Sequence, residues 1–195
     1  MGFFKGMNWK VWGAGGLLAL MAGCSSPPPP TFDLAAVPRP AAVSGRGQLV
    51  VAEPVAIAFL DAERMAVRTQ GGSIAYLPGG QWADRLPKLL HARLIQSFEN
   101  ARRVGSVGRP GDRVVAAHQL NSEVRTFEVQ EASREAVVEI TARIVNDRTG
   151  RVVAAEMFAA RVPVVAIDAA GAAAALDQAS QKVMAEMVRW VSGRA

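Results

Sequence analysis

The one thiol of this 195-residue chain, Cys24, stands in Leu-Met-Ala-Gly-Cys-Ser-Ser-Pro-Pro-Pro-Pro, residues 20 to 30. A thiol can form a disulfide, ligate a metal or attack as a thiolate, and each use needs a partner or a base. Here there is no second cysteine, and four prolines follow, which lack N–H donors and cannot join a helix or sheet interior. A chemical role for Cys24 is therefore expected over a structural one. Before it, Lys5 and Lys10 precede an uncharged run from Val11 to Ala22, the order of a secretory signal. As a helix, Val11 to Cys24 would span about 21 Å against a hydrocarbon core of about 30 Å, too short for a comfortable membrane span.

Ala22 and Gly23 run directly into Cys24, a pattern that resembles a bacterial lipobox, with Met21 where leucine is usual. The resemblance implies cleavage between Gly23 and Cys24, a diacylglycerol on the sulfur and an acyl chain (palmitate or similar) on the new amine. An ordinary secreted protein with an incidental cysteine is the alternative. One acyl chain binds a membrane only marginally, and each buried CH₂ adds about 0.8 kcal/mol, so two or three chains hold firmly. With Cys24 consumed, the fold must stand on its core without disulfides. Ser25 in place of the aspartate that often marks inner-membrane retention favours the outer membrane, with the domain facing the periplasm. Ser25 to Pro30 as polyproline reaches only about 19 Å. The expected organisation is a removed signal peptide over 1–23, a lipidated cysteine and Ser/Pro tether over 24–30, and one domain over 31–195.

Other reactive side chains are sparse. The sequence has no Gly-x-Ser-x-Gly elbow, no His-Glu-x-x-His, no phosphate-binding loop and no dinucleotide fingerprint. His91 and His118 are the only histidines, and neither has company at metal-ligand spacing. Asp61 with Glu63, or Glu128 with Glu131, are pairs of the kind chance supplies. The expectation is a protein that is not an enzyme and carries no metal and no cofactor beyond the lipid on Cys24. Arg102, Arg103, Arg109 and Arg113 surround Gly105, Gly108 and Gly111 in a basic loop suited to lipid phosphates or an acidic partner, with a solvated turn as the plainer reading. The formal charge of +5 falls to +3 once Lys5 and Lys10 are removed, 20 basic against 17 acidic residues. That scattered excess does not suit nucleic acid.

The elements that would position these residues follow from periodicity. Thr31 to Ala35 reads as a first short strand, Pro38 to Gly47 as a loop, and Gln48 to Ala58 as a strand interrupted at Pro54. Met65 to Thr69 and Ser73 to Leu77 flank Gly71-Gly72 as a hairpin, and Pro78-Gly79-Gly80 is expected to end that part of the sheet. Trp82, Leu86, Leu89, Leu90, Leu94, Ile95 and Phe98 recur at spacings of three and four, predicting a helix over 82–100 capped by Asp84. In Val114 to Gln130, Leu120, Val124 and Phe127 fit a helical period while Arg125, Phe127 and Val129 alternate; strand is preferred. Val138 to Ile144 alternates cleanly, Asn146 to Gly150 is a turn, and Val152 to Val165 returns. Asp168 caps a last helix ending at Gly193, with Leu176, Ala179, Val183 and Met187 on its apolar side. Two amphipathic helices and one sheet cover each other as a two-layer α/β sandwich, with a mostly antiparallel, mixed sheet of five to seven strands.

Several stretches taken in order resemble the ABC-type transport auxiliary lipoprotein family of PqiC-like intermembrane transport lipoproteins. They are the lipobox at Cys24, Phe32-Asp33-Leu34 after the proline tract, the strand entry from Asp61 to Arg68, and Gln81 to Pro87 at a helix start. Leu120 with Arg125 to Glu128, the turn from Asp147 to Val153, and Trp190 in the terminal helix continue the series. The resemblance implies a lipid-anchored periplasmic adaptor serving a Mce-domain substrate-binding protein with its ABC permease and ATPase, which together move lipids between membranes. It also implies ring-like self-assembly of a homo-oligomer on the end of a Mce channel. Two rivals stand beside it: a direct lipid-binding module that holds phospholipid itself, and an envelope-assembly lipoprotein of the lipopolysaccharide-export kind.

Overall fold

The computed structural model describes residues 1–2, 28–39, 47–102, 104–113 and 115–194. The signal segment and Cys24 lie outside the described residues, as does Arg103. The helix-forming and strand-forming stretches give β1 (Thr31–Phe32), β2 (Gln48–Val51), β3 (Val55–Ala56), β4 (Arg64–Arg68), β5 (Ile74–Trp82), α1 (Leu86–Ala101), β6 (Ser106–Gly108), β7 (His118–Gln130), β8 (Glu135–Asn146), β9 (Val152–Pro163) and α2 (Ala169–Ser192). Both helices pack on one mixed sheet, so the two-layer α/β architecture holds. The sheet has nine strands rather than five to seven, because several of its members are only two to five residues long.

β7 is the spine. β8 pairs with it antiparallel from His118↔Asn146 to Gln130↔Glu135, and β9 continues the ladder antiparallel to β8. Along its other edge β7 is met in turn by β2, β3 and β4, all parallel. β6 extends β2, while β5 and then β1 extend β4. Pro54 lies in the gap between β2 and β3, as its missing donor requires.

One face of this sheet carries the core. Leu120, Val124, Phe127 and Val129 of β7 and Ala136, Val138, Ile140, Ala142 and Ile144 of β8 are all buried beneath the helices. Trp82 is also buried there, with its ring edge-to-face on Phe127 at 5.9 Å. α2 lies over β8 and β9, and α1 packs beside it over β2 and β6. The N-terminal segment crosses both helices: Ala35 N–H donates to Asp177 Oδ1 (2.7 Å), Val37 N–H to the wholly buried Ser97 Oγ (2.9 Å), and Asn100 Nδ2 to Val37 O (2.9 Å). Over β7 and β8 the opposite face is mostly polar. There Arg68 grips Glu128 through both carboxylate oxygens at 2.6 and 3.1 Å, and Thr126 donates to Glu139.

Two expectations at the β5–α1 junction are overturned. Pro78-Gly79-Gly80 does not end the sheet segment; β5 runs through it to Trp82. The register explains how: Arg64 faces Gln81 and Ala66 faces Tyr76, so Leu77 to Gly80 bulge out opposite Met65. Gly79 takes the left-handed φ of +85°, and at Gly80 a Cβ would lie 2.6 Å from Ala169 Cβ and 2.7 Å from the Phe32 ring, so only glycine fits. The helix accordingly starts later than predicted, at Leu86, with Arg85 at the N-cap and no side-chain cap. Asp84 instead accepts from the Arg85 N–H (2.8 Å) and pairs with Lys88 (2.7 Å). Asp168 does cap α2, accepting from Gly171 N–H at 2.7 Å.

Candidate functional site

Among the described residues, no group of three or more His, Cys, Asp or Glu is placed to hold a metal ion, and no helix is long and apolar enough to cross a membrane. His118 opens β7 and is half-buried. The carboxylates singled out from the sequence serve structure: Asp61 pairs with Arg85, and Glu128 with Arg68. The geometry offers two surfaces instead.

The first is the free border of the sheet. Among the described residues β9 pairs with β8 alone, so the other side of a twelve-residue strand presents unpaired backbone donors and acceptors. Folded sheets ordinarily blunt such a border with charges, prolines or very short strands. β9 carries only two charges along its twelve residues, Glu156 and Arg161, and Arg161 pairs with Glu135. On the helix-free face it shows Ala155, Met157 and Ala159, all exposed, in register with Arg143, Thr141 and Glu139 of β8; Val152 and Val153 are also exposed, and Pro163 falls only at the strand's end. The turn at Asn146 to Gly150 placed this strand as a hairpin return, but an edge position is not read directly from one sequence. The usable signal was its alanine and valine run without lysine.

The second is an open cleft of about 490 Å³ lined by Glu53 from the β2–β3 connection, Lys88, His91 and Ala92 from α1, and Arg109 and Pro110 from the β6–β7 loop. His91 Nε2 lies 2.8 Å from Val51 O, which fixes the ring. The basic loop predicted from the sequence is thereby divided. Arg109 belongs to the cleft, whereas Arg102 caps the far end of α1 in a left-handed conformation, about 17 Å of helix rise beyond His91. Arg113, also left-handed and exposed, is on the β6–β7 loop but does not line the cleft. Sequence reading missed Lys88 and His91 as companions of Arg109, because the sheet topology alone brings the loop to that end of α1.

Between the layers the described residues pack a continuous hydrophobic core. Phe98, Phe127, Leu94, Leu176 and Met184 fill it, each at most 1 % exposed. A groove holding an acyl chain between sheet and helices would have to displace them.

A family model described as the ABC-type transport auxiliary lipoprotein component matches residues 32–188. An uncharacterized protein of Bradyrhizobium diazoefficiens is 33 % identical over 163 residues, covering 82 % of this chain; the chain spans only 44 % of that relative. The crystal structure of protein XCC0632 from Xanthomonas campestris, of the DUF330 family, superposes with a TM-score of 0.75 at 29 % identity, over 84 % of this chain and 95 % of that one. The hypothetical protein CT253 from Chlamydia trachomatis shares the fold at 9 % identity, with a TM-score of 0.56 over 76 % of this chain and 97 % of that one.

Proposed function

The chain belongs to the ABC-type transport auxiliary lipoprotein component family, and on that premise we propose that it is an adaptor that docks a transport partner through the open border of β9. Membership of a lipoprotein family implies anchoring to a membrane of the cell envelope, and the family is not one of known enzymes. The finer reading is an anchor at Cys24 in the outer membrane and a Mce-domain substrate-binding protein, with its permease and ATPase, as the docked system, which moves lipid between membranes.

One observation carries the docking reading. The tether enters the fold at β1, where Gln81 N–H donates to Pro30 O at 3.0 Å, and β1 and β9 are opposite borders of the sheet. The order β1-β5-β4-β7-β8-β9 separates them by about 24 Å at about 4.8 Å per strand. An anchor at one border leaves the other facing away from the attachment point, open to an incoming strand. The filled space between helices and sheet supports an adaptor over a carrier of acyl chains.

The test places a photo-crosslinking amino acid at Met157 of the full-length chain in its native envelope. Adducts containing Mce-domain peptides are expected. Adducts containing only a second copy of this chain would reassign the border to self-assembly, and none at all would sink the docking reading. Met157→Glu should abolish the adduct partner's co-purification while changing stability by no more than about 0.5 kcal/mol, as an exposed substitution does. The anchor is tested separately, because Cys24→Ser should leave the membrane fraction. Stoichiometric phospholipid in an extract of the purified protein would favour the direct lipid-binding rival.

A further inference from the structure

The cleft between α1 and the β6–β7 loop stands apart from the β9 border, and its chemistry does not depend on docking. Its cations come from two elements. Lys88 and His91 are one turn apart on the same face of α1, and Arg109 reaches the cleft from a loop whose backbone is fixed, since Arg109 N–H donates to Asp112 Oδ2 (2.7 Å) and Asp112 N–H to Arg109 O (3.1 Å). His91 Nε2 is committed to Val51 O, leaving Nδ1 as the ring's remaining polar atom.

The anions decide what these cations suit. Lys88 is matched by Asp84 at 2.7 Å. That pairing leaves Arg109 and Glu53 as the two opposite charges of the cleft, and among the described residues neither makes an ion pair within 4 Å. A simple anion would meet Arg109 but also the repulsion of Glu53. A ligand carrying both a phosphate and an ammonium satisfies both. Arg109, with the His91 ring beside it in the cleft, suits the phosphate through charge-assisted hydrogen bonds, and Glu53 suits the ammonium. Pro110 and Ala92 add an apolar wall, and the volume lies within the range of small-ligand sites.

We propose that this cleft is a binding site for a zwitterionic phosphodiester of the phosphoethanolamine type, with Arg109 on the phosphate and Glu53 on the ammonium. The same chemistry is offered by a lipid headgroup and by a small soluble ester.

The test uses the full-length chain in non-ionic detergent micelles and follows backbone amides by heteronuclear NMR. The probes are glycerophosphoethanolamine, glycerophosphoglycerol and inorganic phosphate. Glycerophosphoethanolamine should shift Glu53, Lys88, His91 and Arg109 saturably, with a dissociation constant on the order of 1 mM. Arg109→Gln should weaken it about tenfold, and Glu53→Gln should erase a preference of about tenfold over glycerophosphoglycerol. Both residues are surface positions, so unchanged spectra elsewhere verify the fold. Equal binding of all three probes, unaffected by Glu53→Gln, would overturn the zwitterion assignment. No saturable shift by about ten times that concentration would overturn the site. If binding holds, adding phosphatidylethanolamine to the micelles separates the sources: competition at the cleft assigns a lipid headgroup, and its absence assigns a soluble ester.

Discussion

β7 meets two kinds of neighbour. Along one edge β8 accompanies it for its whole length in a ladder closed by a turn of four residues, Glu131 to Arg134. Along the other, β2, β3 and β4 share the same length as three separate short pieces, each drawn from more than fifty residues away in sequence. The hairpin side forms from local contacts, while the patchwork side must first close long loops. The difference extends to the borders. The patchwork side ends in β6 and β1, of three and two residues, the brevity that protects a sheet from unwanted pairing. The hairpin side ends in β9, twelve residues long and open, which is why that border reads as a place for a partner.

The two sides meet at Phe127, whose ring touches Trp82 at the end of β5. Phe127→Ala should therefore strike both at once, costing about 3–5 kcal/mol of stability in denaturant unfolding. A loss under about 1 kcal/mol would mean that the two sides do not share one core. A smaller break separates them. Arg68→Met removes the cation that ties β4 to the 4 % exposed Glu128 of β7. A fully buried pair loses about 3–5 kcal/mol when one partner is removed; Arg68 is 39 % exposed, so about 1–3 kcal/mol is expected here. Pairing it with Glu128→Gln should recover part of that loss, since no lone charge then remains buried. Additivity of the two changes would contradict the coupling. In native-state hydrogen exchange, amides of β2 and β3 should open at least about tenfold more readily than those of β8, a difference of about 1.4 kcal/mol. Equal protection would erase the contrast between the two sides.

The same contrast governs what could be read from the sequence. β8 alternates cleanly, and β8, the turn after it and the returning β9 are local in sequence and lie where they were predicted. β7 was ambiguous for a physical reason. Its pairing slips between Val124 and Thr126, so Arg125 is a bulged extra residue and the buried set changes parity, from Leu120, Ser122 and Val124 to Phe127 and Val129. Leu120, Val124 and Phe127 then imitate the three-and-four spacing of a helix. The patchwork strands were undercounted because β3, read as one strand with β2 across Pro54, and β6 are too short to carry a period. Trp82 misled for a related reason: its spacing to Leu86 matches a helix, yet it ends a strand whose glycine bulge carries the chain past the expected stop. Of the candidate sites, Arg109 was legible as a basic loop residue. Its neighbours Glu53, Lys88 and His91 were not, since they belong to other elements that only the fold assembles. Ser122, buried with an unpartnered hydroxyl on β7, had no sequence signal either.

The smallest effect tests the junction where reading and structure parted. If Asp84 were an N-cap, Asn would replace it at little cost, because asparagine caps as well as aspartate. In the structure Asp84 serves Lys88 and the Arg85 N–H, and the Lys88 hydrogen bond, followed by the Arg85 N–H, holds its carboxyl below the ordinary value of 3.8. A carboxyl depressed in the folded state contributes stability that is present above 3.8 and is lost as pH falls through its lowered value. Lys88→Gln removes the larger cause, so the Asp84 carboxyl resonance should titrate closer to 3.8, and the acid limb of the unfolding curve should flatten slightly. A titration unmoved by Lys88→Gln would show that Asp84 answers to the helix end and not to the lysine. Lys88 would then be released to the cleft beside Arg109, and the charge balance that favours a zwitterion there would shift toward a plain anion.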